Sequence, residues 1–270
     1  MKSSMVIPDS PVMKMFDLSG RVALITGASG WLGASLAAAL AEAGCRVITA
    51  SRELDKARES ASKLPGPQAG NHLAVQLDHL DEASIHSGFD HAVKLAGHID
   101  ILVNNGNKGT NRDLYDVTGQ EFKDHLGNAV GYFLLARRVH DHAVASKRPA
   151  TVIMLGSMYS LVGSYPDAYK DIQFASPVAY HTLKGGIVQM TRHLAVYWAK
   201  DNVRVNTLSP GPFPAPAISP EMVRRLSEKS PMGRMGQPHE LKGALVFLAS
   251  DASNYVTGHN LVMDGGWTAW

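Results

Sequence analysis

The sequence predicts an α/β chain built on a single doubly wound parallel β-sheet with helices on both faces. Short β-rich runs alternate with segments of helical spacing along most of the 270 residues, the pattern that a parallel sheet with helical crossovers requires. A glycine-rich stretch joins the first predicted strand to the first predicted helix. No internal repeat or composition shift divides the chain, so one domain over residues 20–270 is expected, preceded by a tail over residues 1–19 that orders only against the body or a partner subunit.

Taken in order, "RVALITG" (21–27) is a β-rich run closed by glycine, and "WLGASLAAALAEAG" (31–44) places alanine and leucine at helical spacing with Gly44 as its stop. "CRVITAS" (45–51) is the next strand, which completes a βαβ unit. A charged helix over about 53–64, the strand "HLAVQL" (72–77), a helix over about 81–96 and the strand-to-loop "DILVNNG" (100–106) continue the alternation. A long helix over about 118–146, the strand "TVIML" (151–155), a helix around residue 180 and the strand "VRVNTLS" (203–209) follow. The Pro/Gly-rich segments 65–70 and 209–220 fall between elements and read as surface loops.

Composition narrows the function classes. A net charge of +2 with 45% hydrophobic and 19% charged residues describes a folded chain without a nucleic-acid arm. One cysteine, Cys45, permits no internal disulfide and fits a reducing compartment, so a cytoplasmic location is expected. The first residues lack a continuous apolar core, and no later run is long and apolar enough for a membrane span. The twelve histidines form no His-Glu-x-x-His or Cys/His array, so no metal is expected. His140 and His142 read as surface residues, and His181 as pointing away from a site at Tyr180, since adjacent helix positions do not share a face. No Gly-x-Ser-x-Gly elbow supports a serine hydrolase.

Two groups of residues carry chemistry. In "TGASGWLG" (26–33), Gly27 suits a tight turn, Gly30 a close approach of backbone to a pyrophosphate, and Gly33 the packing of helix on strand. The helix start then offers free N–H groups to the phosphates. The second strand ends in "ASRE", where Ser51 tolerates and Arg52 pairs with a 2′-phosphate, which favours NADP(H) over NAD(H). Arg52 as a solvated helix-start residue, with Glu53 keeping some NAD character, is the alternative. In "VAYHTLKGG" (178–186), Tyr180 and Lys184 share a helix face, and a cation one turn away would lower the phenol pKa. Ser157 stands at a strand end, the rim where such sheets place their ligand crevice, and Asn206, Pro210 and Gly211 are expected at the same rim.

With these motifs in this order, the chain resembles the single-domain branch of the short-chain dehydrogenase/reductase family, whose fold is a Rossmann sheet. Thr26, Gly27 and Gly33 match its glycine motif, Asp78 the aspartate that holds adenine, Asn104 and Asn105 its Asn-Asn segment, and Asn128, Ser157, Tyr180 and Lys184 its catalytic tetrad. "NTLSPG" and "VTGHNLVMDGGW" complete the match. The resemblance implies that Tyr180 exchanges a proton with the substrate oxygen and Ser157 holds that oxygen. Lys184 lowers the tyrosine pKa and binds the nicotinamide ribose, and Asn128 holds a water leading to solvent. It further implies cofactor contacts at Ser29, Gly30, Trp31, Leu32, His79, Gly106, Pro210, Gly211 and Phe213, and a homotetramer in which the helices of Asn128 and Tyr180 meet their symmetry mates.

Three departures stand out. Trp31 occupies the place of the family's middle glycine, and "NNGN" replaces Asn-Asn-Ala-Gly. Ser157 and Tyr180 lie 23 positions apart, about ten more than usual in the family, so "LVGSYPDAYKDIQFASP" holds an insertion beside the substrate site or at a subunit contact. Tyr165 and Tyr169 of the insertion, with Met158 and Tyr159 just before it, are the candidate substrate residues, since aromatic rings with polar partners suit a sugar. The expected activity is interconversion of a secondary alcohol and a ketone on a polyol, sugar or sugar acid, near gluconate 5-dehydrogenases. A 3-oxoacyl-thioester reductase is the second reading and a non-catalytic dinucleotide sensor the third. Trp267 and Trp270 are expected at a subunit interface or over the pocket.

Overall fold

The structure, a computed structural model, describes residues 10–109, 112, 114–172 and 176–270. Seven parallel strands form one sheet in the order β3-β2-β1-β4-β5-β6-β7. They are β1 (Val22–Thr26), β2 (Arg46–Ser51), β3 (Leu73–Gln76), β4 (Ile101–Asn104), β5 (Ala150–Leu155), β6 (Val203–Pro210) and β7 (Asn260–Met263). The helices are α1 (Trp31–Glu42), α2 (Leu54–Ser62), α3 (Glu82–Ala96), α4 (Gly119–Ser146), α5 (Pro166–Tyr169), α6 (Val178–Trp198), α7 (Pro220–Glu228) and α8 (Lys242–Ala249). Strand order reverses between β1 and β4, which leaves a crevice at the carboxyl ends of these two strands.

Why β1 reads as "VALIT" follows from its surroundings: all five of its residues are buried, so both faces need apolar side chains. Leu24 packs with Tyr132, Leu135 and Val139 of α4 and Leu183 and Ile187 of α6 on one face. Ala23 and Ile25 pack with Leu36 and Leu40 of α1 and Leu245 and Leu248 of α8 on the other. A third apolar cluster lies off the sheet, where α5, α7 and the chain end meet around Trp267.

Local signals set the helix that carries Asn128. Thr118 and Glu121 form a reciprocal capping box, with Glu121 N–H donating to Thr118 Oγ1 at 3.2 Å and Thr118 N–H to Glu121 Oε2 at 2.9 Å. The far end of α4 closes at Lys147 in a left-handed conformation.

Several sequence expectations change here. Leu18 is buried in the core and its N–H donates to Ala43 O at 2.9 Å, so the packed body reaches back before residue 20. Residues 1–9 of the expected tail lie outside the described residues. His140 and His142 are half-buried: His140 stacks on Trp198 at 4.5 Å, and His142 meets the Phe89 ring edge-on. Asn206 is not at the strand rim. It is fully buried within β6, where its Nδ2 donates to Val256 O and its Oδ1 accepts from His259 N–H, tying the segment before β7 to the sheet.

Candidate active site

A cavity of about 490 Å³ opens along the carboxyl ends of the central strands, from Arg52 and Lys56 at one end to Ser157, Tyr180 and Lys184 at the other. The loop after β1 forms its floor. Gly27 has φ +67, and a Cβ added at Gly33 would lie 2.0 Å from Gly27 O, so α1 can sit this close only because residue 33 has no side chain. No side chain caps α1 at Gly30, which leaves the N–H groups of its first turn facing the cavity. Asn105 Nδ2 donates to Thr26 O and Gly27 O at 3.1 and 3.0 Å, while Thr26 Oγ1 accepts from the N–H groups of Asn105 and Gly106. These bonds lock the β1 and β4 loops together across the crevice. The uncapped helix start, the blocked Cβ position at Gly33 and the extended cavity fit a dinucleotide. Gly33→Ala is therefore expected to weaken dinucleotide affinity by about tenfold or more, because a clash with backbone displaces the loop; fluorescence titration with reduced cofactor measures this.

Most of the expected cofactor residues line this cavity: Gly27, Ser29, Gly30, Trp31, Leu32, Gly33, Ser51, Arg52, His79, Asn105, Gly106, Pro210 and Gly211, with Tyr180 and Lys184. Trp31 stands at the rim, and its ring remains substantially exposed. Three expected residues do not line it. Asp78 accepts from Leu80 N–H at 3.0 Å and so shapes the turn that presents His79 and Leu80 to the cavity. Asn104 is buried, donating to Tyr132 O at 3.0 Å, and fastens β4 to α4. Phe213 packs against Gly236 in a neighbouring cavity instead. Lys56 and Lys108 line the cavity and escaped the sequence reading. Lys56 lies one turn into α2, and Lys108 follows "NNGN", with no motif marking either.

At the reacting end, the spacing within α6 places Tyr180 and Lys184 on one face, with Lys184 Nζ 5.6 Å from the Tyr180 ring centre. Lys184 is buried and donates to Leu155 O at 2.6 Å. Burial pulls its pKa down to about 7. The pKa of Tyr180 is raised, first by burial and also by Tyr169, while a hydrogen bond with the Ser157 side chain acts in the opposite direction. The expected lowering by Lys184 does not figure among the influences on Tyr180, and the Lys184 ammonium turns toward the Leu155 carbonyl.

Asn128 stands behind this end, fully buried. Its Nδ2 donates to Lys108 O and His125 O, and its Oδ1 accepts from Lys108 N–H at 2.8 Å and from His79 Nε2 at 2.9 Å. Both amide hydrogens are committed to backbone carbonyls. Its observed work is to clamp the backbone of Lys108 and orient His79. His125, unmarked in the sequence, is buried one turn earlier with its ring 6.1 Å from that of Tyr180.

The four candidate substrate residues gather beside Tyr180 in the third apolar cluster. The hydroxyls of Tyr159 and Tyr169 lie 2.5 Å apart, and Tyr165 meets Trp267 edge-on at 5.4 Å. Trp267 is 1% exposed within its own chain, unlike the expected interface position, whereas Trp270 is exposed. His181 stacks on Tyr159 at 4.5 Å and so supports that ring. Among the described residues no cluster of His, Cys, Asp and Glu could hold a metal ion.

A doubly wound sheet whose dinucleotide cradle leads to a half-buried tyrosine, a buried serine and a near-neutral lysine defines a nicotinamide-dependent oxidoreductase acting on alcohol and ketone groups. The chain belongs to the short-chain dehydrogenase/reductase family: the family profile described as "Enoyl-(Acyl carrier protein) reductase" matches residues 27–268. It is 31% identical over 265 residues to 2-dehydro-3-deoxy-D-gluconate 5-dehydrogenase of Escherichia coli (strain K12), covering 96% of this chain and 99% of that protein. It is 32% identical over 262 residues to galactitol 2-dehydrogenase (L-tagatose-forming) of Cereibacter sphaeroides, covering 95% and 98%. Among solved structures, a gluconate 5-dehydrogenase from Burkholderia cenocepacia J2315 in complex with NADP and tartrate superposes with a TM-score of 0.85 at 29% identity, covering 96% and 100%.

Proposed function

We propose that this chain is an NADP-preferring dehydrogenase that interconverts a secondary alcohol and a ketone on a polyol, sugar or sugar acid. The observation that carries the reading is the placement of Ser157, Tyr180 and Lys184 at one end of a cavity whose other end presents Arg52. When bound, the nicotinamide supplies the hydride chemistry. The chain's own part is proton transfer and positioning. In reduction the Tyr180 hydroxyl donates its proton to the substrate oxygen, and in oxidation it takes that proton back. Ser157 hydrogen-bonds the same oxygen. Lys184, titrating near neutrality, is suited to exchange protons with its surroundings at physiological pH. Sugar-related relatives and the polar aromatic insertion support the substrate class. The test is oxidation of NADPH by a panel of ketoses, keto-sugar acids and acetoacetyl thioesters. Preference for the thioester would replace this reading.

NADP preference rests on Arg52, which lines the adenosine end and has no ion-pair partner among the described residues, whereas neighbouring Glu53 is paired with Lys56 at 2.7 Å. Arg52→Ala is expected to lower kcat/KM with NADPH by about tenfold and to change the value with NADH far less, since a charge-assisted pair to the 2′-phosphate is lost. Parallel kinetics with both cofactors check this.

The same reading places the protein in the cytoplasm as a homotetramer. Val130 and Val144 of α4 and Val196 and Tyr197 of α6 are exposed apolar residues on the two helices that would meet their symmetry mates, which supports the assembly. Light scattering coupled to size exclusion measures it.

A further inference from the structure

We propose that the Tyr159–Tyr169 hydroxyl pair and the Trp267 indole form a hydroxyl-reading subsite that selects a neutral polyhydroxy substrate over a sugar acid. The inference rests on the dehydrogenase reading above and narrows its substrate.

The starting observation is an imbalance of donors. Two tyrosine hydroxyls carry two hydrogens, and the single hydrogen bond between Tyr159 and Tyr169, 2.5 Å long, uses one of them. No described residue accepts the second. Trp267 Nε1–H is a second buried donor without a partner. A buried polar group in a native protein is nearly always satisfied, and two donor hydrogens in one small cluster with no acceptor among the described residues are free to take one from a ligand. Both belong to the cluster against which Tyr180 also packs. The proximity of these hydroxyls is felt electrostatically: Tyr169 helps raise the pKa of Tyr180, and Tyr180 that of Tyr159.

The second observation is the lack of a free cation against the cluster among the described residues. Lys229 lies over Tyr165 at 4.8 Å and is already paired with Asp167 at 2.6 Å, Arg225 is paired with Glu221 at 2.7 Å, and Lys184 Nζ donates to Leu155 O at 2.6 Å. A carboxylate placed beside Tyr159, Tyr169 and Trp267 would be desolvated without a free counter-charge, whereas hydroxyl oxygens accept from phenol and indole donors at little desolvation cost. Lys108, which has no ion-pair partner among the described residues, lies on the β4–α4 loop and lines the cofactor cavity, not this cluster.

The geometry is also framed to hold its donors in place. His181 stacks beneath Tyr159, Tyr165 braces Trp267, and α5 is tied to the end of α7 through Arg225, whose Nη1 donates to Asp167 O and Lys170 O. The insertion between Ser157 and Tyr180 supplies Tyr165 and Tyr169, so the added chain contributes directly to substrate choice.

The test compares wild type, Tyr169→Phe and Trp267→Phe on D-threitol, on butane-2,3-diol, which is threitol without its terminal hydroxyls, and on D-gluconate. Each variant removes one donor and keeps the aromatic ring, and dinucleotide titration shows whether it retains its fold. Wild type is expected to favour threitol over both other compounds. Each variant should raise KM for threitol by about tenfold, the loss of one hydrogen bond, and bring the threitol to butane-2,3-diol ratio of kcat/KM toward one. Unchanged ratios in both variants would overturn the subsite. So would a preference for gluconate that Lys108→Ala removes, which would place recognition on a charge instead. If no polyol or sugar acid is oxidised while Tyr180-dependent turnover of another alcohol persists, the dehydrogenase reading loses its substrate class and this inference falls with it.

Discussion

Tyr180→Phe is expected to lower kcat by about 10²–10⁴-fold, the range for loss of a positioned general acid or base, while dinucleotide affinity stays within about twofold of wild type. The reason is local. The ring is held between the third apolar cluster and the Lys184 ammonium, and phenylalanine preserves those contacts. Only the hydroxyl, with its link to Ser157, disappears. Single-turnover absorbance of the reduced nicotinamide together with a binding titration separates the two effects. Equal loss of binding and turnover would show that the ring, not its proton, is what the protein needs.

Lys184→Met should abolish turnover and yet stabilise the protein without dinucleotide. Burial lowers the lysine pKa from its ordinary 10.5 to about 7. The charged form is therefore disfavoured in the folded state relative to the unfolded chain. Below about pH 7 both states are protonated, and the full penalty opposes folding. Between pH 7 and 10.5 the folded protein has released a proton that the unfolded chain still binds, so stability rises with pH across that window. Methionine removes the penalty and fills much of the same space, at the cost of the bond to Leu155 O. The net gain is expected to be on the order of a few kcal/mol at the low-pH side, shrinking toward pH 10. Thermal melts at about pH 6 and about pH 9 test the sign: the variant's advantage in Tm must be larger at the lower pH. An advantage that grows with pH would mean that Lys184 is not buried as a charge.

The ladder of strands and helices was legible because a parallel sheet buried on both faces demands continuous apolar runs such as "VALIT", and its crossovers demand helical spacing. The glycine loop was legible for a similar reason, since Gly33 faces backbone where no Cβ fits. Residues that reach the cavity through local spacing or a motif are legible in the sequence: Tyr180 with Lys184 one turn apart, Ser157 at a strand end, and Arg52 after β2. Residues that act only through contacts between distant elements are not. Lys108 and His125 flank Asn128 because the β4–α4 loop folds back onto α4, and nothing in either's neighbours signals this.

The misplacements have the same origin. Asn206 reads as a rim residue from its place near a strand end, and Asn104 as a cofactor residue from the Asn-Asn segment, but register puts both side chains inside, where each fastens one element to another. Trp267, a large ring near the chain end, reads as an interface residue or one that closes the pocket; folding of the chain end against α7 buries it within its own chain beside Tyr165.

By itself the sequence determined the fold class, the glycine loop after β1 and the pairing of Tyr180 with Lys184 on one helix face, because each depends on periodicity or on residues a few positions apart. Only the tertiary structure decided the burial that lowers the Lys184 pKa and raises that of Tyr180, and which rings meet beside Tyr180. Whether Lys184 titrates near neutrality depends on burial by elements up to tens of residues away, and the meeting of Tyr159, Tyr169 and Trp267 depends on three segments converging. Desolvation and hydrogen-bond satisfaction are properties of the assembled interior, and no stretch of chain carries them alone.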